Sequence, residues 1–145
     1  MRKPGREQGR TALALMAEME KTIATHGHNV HVKAIVDRFS NALPRLREAT
    51  QWIVETFPTN PAAVAAGSVY YLKLMGIVCG GWMMARSAQV AARMMEAGEG
   101  DAAFLRGKLL TARFYADHIL PQAMALAMIA MRGADSVLAV EEGLL

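Results

Sequence analysis

The chain has 145 residues, enough for one domain with a sizeable hydrophobic core. Hydrophobic residues make up 53% of it and charged residues 20%, a balance that excludes an intrinsically disordered segment. Its 26 alanines and 11 methionines, against four Phe, three Tyr and two Trp, favour helices over strands.

The net charge of +3 comes from a short basic arm, residues 1–10, because the rest of the chain is balanced. The charged residues of this arm are Arg2, Lys3, Arg6, Glu7 and Arg10. Such an arm on a neutral body is weak support for nucleic-acid binding, and we expect no nucleic-acid partner. The single cysteine, Cys79, permits no internal disulfide, and no secretion signal follows the arm. Both features favour a cytoplasmic protein.

The apolar pattern predicts four helices, of which the first two cover about residues 6–25 and 30–57. Residues Leu15, Met16, Met19 and Ile23 share one face of the first helix, and Gly27 is its expected C-cap. The second helix carries a seam in steps of four and three, formed by Val32, Val36, Phe39, Leu43, Leu46, Thr50, Ile53 and Phe57. Because the seam keeps its phase across Pro44, we expect a kink there and not two helices.

The third helix is predicted from Pro61, with Asn60 as its N-cap, to about residue 97. Asp101 is the expected cap of the fourth helix, which runs to Gly133 with Pro121 inside it. The seam of this helix is Leu105, Leu109, Ala112, Ala116, Ile119, Ala123, Leu126 and Ala130. Residues 134–145 would add a short turn and a tail. The chain is therefore expected to form one all-α domain, an up-down-up-down four-helix bundle over residues 1–145.

An apolar segment in the third helix, residues 69–85, contains a single charge, Lys73. A spanning helix needs about 20 apolar residues, and Gly76 and Gly80 match a GxxxG pattern found in membrane dimers. A central helix of a bundle has the same composition, and we favour that interpretation and expect no membrane contact. In the bundle, Gly76, Gly80 and Gly81 would let a neighbouring helix approach closely.

Several residue groups were weighed as chemical sites and favour structural roles. The histidines His26, His28 and His31 lie in or beside a turn, which does not hold metal ligands in a fixed geometry. Asp117 and His118 are adjacent on a helix and point about 100° apart, unlike a catalytic triad. Cys79 lies in an apolar run where a thiolate is disfavoured. Eight methionines are expected to fill the core: Met75, Met83, Met84, Met94, Met95, Met124, Met128 and Met131. The residues therefore predict no catalytic, cofactor-binding or metal site.

Longer strings of residues carry a family resemblance. They are AGSVYYLKLMGIVCGGWMMARSA (66–88), KLLTARFYADHILPQA (108–123), GADSVLAVEE (133–142) and RKPGREQGRTALALMAEMEKTIA (2–24). They resemble the extra C-terminal helical domain of bacterial acyl-CoA dehydrogenases that act on fatty acyl-CoA or methylmercaptopropionyl-CoA. The resemblance implies FAD in the parent enzyme and a catalytic glutamate in a Tyr-Glu-Gly-Thr-Asn-Gly-like segment. That segment is expected just ahead of this chain, so no catalytic or flavin-binding residue is carried over, and Glu7 is not promoted to one.

The resemblance predicts a structural or association domain, with the remainder of the enzyme or a second copy of the chain as its partner. Arg106, Arg113 and His118 recur on one side of the fourth helix and could face the other domains, or they could form a solvated face. The alternative function is a standalone bundle that binds an acyl chain or acts as a separate subunit. A small membrane protein and an active flavoenzyme fragment were the further possibilities.

Overall fold

The computed structural model describes residues 7–25 and 29–140. Within these residues the secondary structure is helical throughout, without a β-strand, which confirms the predicted all-α class. The helices are α1 (Arg10–Ala24), α2 (Val30–Thr56), α3 (Pro61–Ala66), α4 (Ser68–Glu96), α5 (Ala102–Phe114), a π-helical turn (Tyr115–Ile119), α6 (Gln122–Arg132) and α7 (Ala134–Leu138).

The bundle has four members that alternate in direction: α1, α2, the α3–α4 pair, and the unit formed by α5, the π-helical turn and α6. Helix α4 lies at the centre of the packing and contacts α2, α5 and α6. Helix α1 covers α2 and α4, and the short α7 folds onto α3. This arrangement is the predicted four-helix bundle with a short C-terminal addition.

Polar side chains begin three of the helices. The Asn29 carboxamide oxygen accepts from the backbone N–H groups of the first turn of α2, at 3.0 and 3.3 Å. Asn60 does the same for α3, accepting from Ala63 N at 3.0 Å, and Asp101 accepts from Phe104 N at 2.8 Å to begin α5. Each side chain satisfies an N–H group that has no partner inside its helix. The starts predicted at Asn60 and Asp101 are thus confirmed.

The core follows the predicted seam of α2. All its members except Phe57 are buried, with at most 2% of each residue exposed, whereas Phe57 lies exposed beyond the last turn. Helix α2 continues through Pro44, which is exposed to solvent, so a single helix was the correct prediction. In α1, Met16 and Met19 are fully buried while Glu18 and Lys21 are exposed, as the pattern indicated.

The predicted third helix is interrupted at Gly67, between α3 and α4. A Cβ atom at this position would lie 2.2 Å from the carbonyl oxygen of Ala130 in α6. The backbones of the two segments therefore touch, and only glycine permits this approach. The prediction of a continuous helix over residues 61–97 was wrong because this crossing depends on a residue distant in sequence.

The predicted fourth helix is also divided, although its seam keeps its phase. Pro121 has no N–H to donate, and one position earlier the N–H of Leu120 bonds to Tyr115 O at 3.0 Å, five residues back. The chain forms a π-helical turn before proline and starts a new helix after it. The eight seam residues remain buried or half-buried across this break. The helix is divided, and the face that it buries is the predicted one.

Polar contacts attach α1 and the central helices to each other. The Trp82 indole Nε1 donates to Thr22 Oγ1 at 2.7 Å, and Gln89 Nε2 donates to the Thr22 carbonyl oxygen at 2.9 Å. In the core, Thr50 Oγ1 donates to Leu46 O at 2.7 Å and lies 2.8 Å from the Tyr71 hydroxyl. These bonds satisfy the buried hydroxyl groups, which would otherwise destabilise the fold.

Candidate functional site

The three glycines predicted to pack against a neighbouring helix have different surroundings. A Cβ atom on Gly80 would lie 2.2 Å from the Tyr115 hydroxyl, and one on Gly81 would lie 2.5 Å from Leu120 Cδ2. Both glycines face the region of the π-helical turn. Gly76 is exposed, and a Cβ there would meet no described atom within 4 Å outside its own helix. The packing role proposed for Gly76 therefore has no counterpart in this bundle, because that side of α4 faces outward.

A groove of about 240 Å³ separates α2 from α5 and contains two of the three predicted inter-domain residues. Ile35, Leu109 and Leu110 supply apolar surface, and the remaining lining residues are His31, Arg106 and Arg113. Of the ion pairs formed among the described residues, none includes Arg106. Its guanidinium group is therefore available to an anion at this groove.

The charge of Arg113 is directed away from the groove, toward the π-helical turn. Arg113 Nε donates to Asp117 Oδ2, and Arg38 Nε of α2 lies 3.4 Å from the other carboxylate oxygen. The hydrogen bond from Arg113, together with both positive charges, holds the pKa of the Asp117 carboxyl below its usual value. Asp117 therefore links α2 to the break between α5 and α6.

The imidazole of His118 does not line the groove. It lies against the ring of Phe114, with a centroid distance of 4.7 Å. The structure thus brings Arg106 and Arg113 to one groove and leaves His118 outside it. Their equal spacing on a single helix had suggested one face for all three, and the π-helical turn changes the direction of the residues that follow.

A second groove, about 340 Å³ in volume, lies between α2 and α6 beside Pro121. Its polar side chains are Arg38, Asn41 and Arg45. Both arginines have carboxylate neighbours, since Arg38 approaches Asp117 and Arg45 Nη1 lies 3.2 Å from Glu48 Oε2. These partners neutralise much of the positive charge that an anionic ligand would require.

The widest of these grooves, about 440 Å³, runs along α4 and α5 and was not anticipated from the sequence. Its apolar side chains include Met83, Val90, Met94 and Phe104. Two cations stand at its edges and cover aromatic rings: Arg86 lies 5.3 Å from the Trp82 ring centre, and Lys108 lies 4.9 Å from that of Phe104. The seven-residue spacing of Met83 and Val90 was the signal available in the sequence.

The eight methionines proposed as core filler occupy partly or fully exposed positions. Met83, Met95, Met124 and Met128 are exposed, and the other four are half-buried. The prediction was wrong because α4 and α6 present an apolar surface on both sides, while alanines occupy much of the buried side. The fully buried methionines belong to α1.

No described side chain combines a nucleophile with a positioned base. Burial raises the pKa of the Cys79 thiol, which disfavours the reactive thiolate. Burial also raises the pKa of Tyr71 and of Tyr115, whose hydroxyl groups are occupied by Thr50 and by the Ile77 carbonyl. These groups are part of the packing of α4 with its neighbours.

The predictions on metal and membrane sites concern partly described regions. His31 is exposed, while His26, His28 and Gly27 lie outside the described residues. Across residues 7–25 and 29–140, no group of three or more His, Cys, Asp or Glu side chains is placed to hold a metal ion. Over the same ranges, every helix falls short of the length and apolar character that a bilayer crossing requires.

Comparison with known proteins accounts for most of the chain. The profile of the family described as "Acetyl-CoA dehydrogenase C-terminal like" matches residues 15–141. The chain is also 34% identical over 128 residues to the 3-methylmercaptopropionyl-CoA dehydrogenase of Ruegeria pomeroyi. That alignment includes 86% of this chain and 21% of the relative, so the chain spans about a fifth of the relative's length. The chain belongs to the acetyl-CoA dehydrogenase C-terminal-like family.

Proposed function

We propose that this chain is the C-terminal structural and association domain of an acyl-CoA dehydrogenase-like flavoenzyme and has no catalytic activity of its own. The observation that carries the proposal is the family match over residues 15–141, combined with an alignment to only a fifth of a relative named as a dehydrogenase. The proposed parent reaction is FAD-dependent α,β-dehydrogenation of an acyl-CoA. We further propose a reducing compartment, the cytoplasm, because Cys79 is a free thiol.

The acid–base properties of the described carboxylates support a non-catalytic role. Removal of a proton from the α-carbon of a thioester requires a positioned general base whose pKa suits that task. Among the described carboxylates, Asp117 has a clearly shifted pKa, and Arg113 and Arg38 shift it downward. A lower pKa makes the carboxylate a weaker base, so Asp117 suits an ion pair between helices and not proton abstraction.

The described residues do not fit a bound flavin. An isoalloxazine ring needs a flat, water-excluded slot, and the interior where the helices meet is filled by side chains such as Phe39, Leu46 and Leu74. The grooves described above are surface depressions between pairs of helices. FAD is therefore proposed only for the parent enzyme, and no step of flavin chemistry is assigned to this chain.

Association with the catalytic body is the first test. The chain is mixed with the flavin-containing portion of the enzyme expressed without this domain, and the mass of the mixture is measured by sedimentation velocity. We expect a complex of defined stoichiometry and a higher unfolding temperature of the flavin-containing portion. Absence of a complex at concentrations well above those in the cell would refute the proposal.

The DNA upstream of the Met1 codon supplies an independent test. An open frame that encodes a flavin-binding body with a Tyr-Glu-Gly-like segment is the expected result. A stop codon followed by a ribosome-binding site would favour a separate subunit or an independent protein.

The alternative function, binding of an acyl chain, is favoured by one feature, the groove between α2 and α5. Ile35, Leu109 and Leu110 could contact a hydrocarbon chain, and Arg106 could bind its carboxylate. Saturable binding of a fatty acid, weakened by Arg106→Gln, would support this alternative. The association domain does not require such binding.

A further inference from the structure

Helix α4 carries a second apolar stripe on the side opposite the core. This outer stripe consists of Val69, Leu72, Gly76, Met83 and Val90, all of them exposed. Four members are spaced by seven residues, the repeat by which one helix presents a seam to another. The stripe is about 32 Å long at 1.5 Å per residue, and Met94 and Phe104 of the α4–α5 groove continue its C-terminal half.

Gly76 indicates that another backbone approaches this stripe. Glycine in a helix interior is less favourable than any residue except proline, and it is retained where close packing requires it. Within the described bundle, a Cβ at Gly76 would meet no neighbour within 4 Å. The fold of this chain therefore provides no reason for a glycine at the middle of α4, whereas an added helix packed on the stripe would provide one.

The charges beside the stripe are all positive. The sequence contains no acidic residue between Glu55 and Glu96, and the basic residues in that interval are Lys73, Arg86 and Arg93. At 100° per residue, Lys73 lies on one side of the stripe and the two arginines lie on the other. These three cations form no ion pair with any described residue. A complementary partner would carry carboxylates on both sides of an apolar seam.

A second copy of the chain fits this surface poorly. If two α4 helices paired antiparallel along the stripe, with Val69 opposite Val90, then Lys73 would lie opposite Arg86 of the other copy. A parallel pair would place Lys73 against Lys73. Like charges destabilise both registers. A lipid surface would match the charge and the apolar stripe, but it would not require a gap at Gly76.

We propose that the outer stripe of α4 docks an amphipathic helix of the catalytic body, with apolar residues that face Gly76 and carboxylates that face Lys73 and Arg86. This inference rests on the proposed function and names the contact through which the domain supports its enzyme. It places the principal contact on α4, and Arg106 and Arg113 of the α2–α5 groove lie outside it.

The test uses two leucines with nearly equal exposure. Leu72 in the stripe is 71% exposed and Leu110 in the α2–α5 groove is 72% exposed. Because both side chains face solvent, Leu72→Glu and Leu110→Glu should fold, which circular dichroism checks. The dissociation constant of each variant for the flavin-containing portion is measured by biolayer interferometry at low and high salt. We expect Leu72→Glu to weaken binding at least tenfold, Leu110→Glu to weaken it less than threefold, and salt to weaken wild-type binding.

A second pair of variants probes the close approach at the helix surface. Gly76→Leu should weaken binding at least tenfold, whereas Gly107→Leu should not, since a Cβ at Gly107 also meets no described neighbour within 4 Å. Equal effects within both pairs, or an effect of Leu110→Glu alone, would overturn the inference and leave the proposed function intact. Loss of self-association, or of binding to anionic vesicles, in Leu72→Glu with unchanged binding to the body would also overturn it. Absence of wild-type binding would overturn the proposed function together with the inference.

Discussion

Replacement of Gly67 by alanine tests whether the contact between the α3–α4 junction and α6 determines the packing of the bundle. The backbone angles of Gly67, φ −79° and ψ −7°, are accessible to alanine, so no conformational strain is expected. The added Cβ would lie 2.2 Å from Ala130 O, although ordinary contact begins at 3.4 Å. One backbone must therefore move by about 1.2 Å, since no side-chain rotation can relieve a contact with a carbonyl oxygen.

The expected cost follows from this displacement. Overpacking in a filled interior destabilises by about 1–3 kcal/mol, and here the upper part of that range applies because the obstacle is backbone. Replacement of glycine by alanine also lowers the entropy of the unfolded chain, which offsets about 0.4–1 kcal/mol. We therefore expect Gly67→Ala to lower the free energy of unfolding by about 2 kcal/mol, and Tm by roughly 4–8 °C.

Gly76→Ala is the matched control, because it makes the same change in the same bundle member at an open position. It should raise the free energy of unfolding by about 0.5–1 kcal/mol. Urea unfolding followed by circular dichroism measures both variants, with equal m values required for the comparison. If Gly67→Ala is as stable as Gly76→Ala, the close approach to Ala130 does not constrain the fold and the reasoning is refuted.

Three further changes test polar contacts. Thr50→Val leaves the buried Tyr71 hydroxyl without its partner and should lower the free energy of unfolding by about 1–3 kcal/mol, measured by urea unfolding. Trp82→Phe removes the donor to Thr22 and should increase amide exchange in α1 more than in α4, measured by mass spectrometry. Because the Asp117 pKa is depressed in the fold, its stabilising contribution is complete well above the unfolded value of 3.8 and is lost as the pH falls through the lower folded value. Asp117→Asn should therefore reduce the loss of stability on acidification.

Each of these expectations has an outcome that contradicts it. A Tyr71→Phe variant removes the hydroxyl itself and should cost less than Thr50→Val, so the reverse order would exclude the desolvation argument. Uniform exchange throughout the Trp82→Phe variant would mean that the indole bond does not hold α1 specifically. Identical acid-unfolding profiles for wild type and Asp117→Asn would show that the ion pairs of Asp117 contribute nothing measurable.

The helices and their buried sides were predictable because their signals are local. The seam of α2, repeated in steps of four and three, identified its buried face as far as Ile53. Asn60, Pro61 and Asp101 marked helix starts because an N-cap acts within its own first turn. Membership of the family was also accessible from the sequence, since it depends on long strings of residues.

The chain by itself therefore determined an all-α bundle, the order of its helices and the side by which most of them enter the core. Only the tertiary structure decided that Gly67 divides one helix, that Asp117 joins Arg38 to Arg113, and that Gly76 faces outward while Gly80 and Gly81 face neighbours. These features depend on residues brought together from distant parts of the chain. An apolar side chain on the outer stripe of α4 and one in its core have the same composition and the same helical spacing. The positions of the neighbouring helices are the physical difference between them.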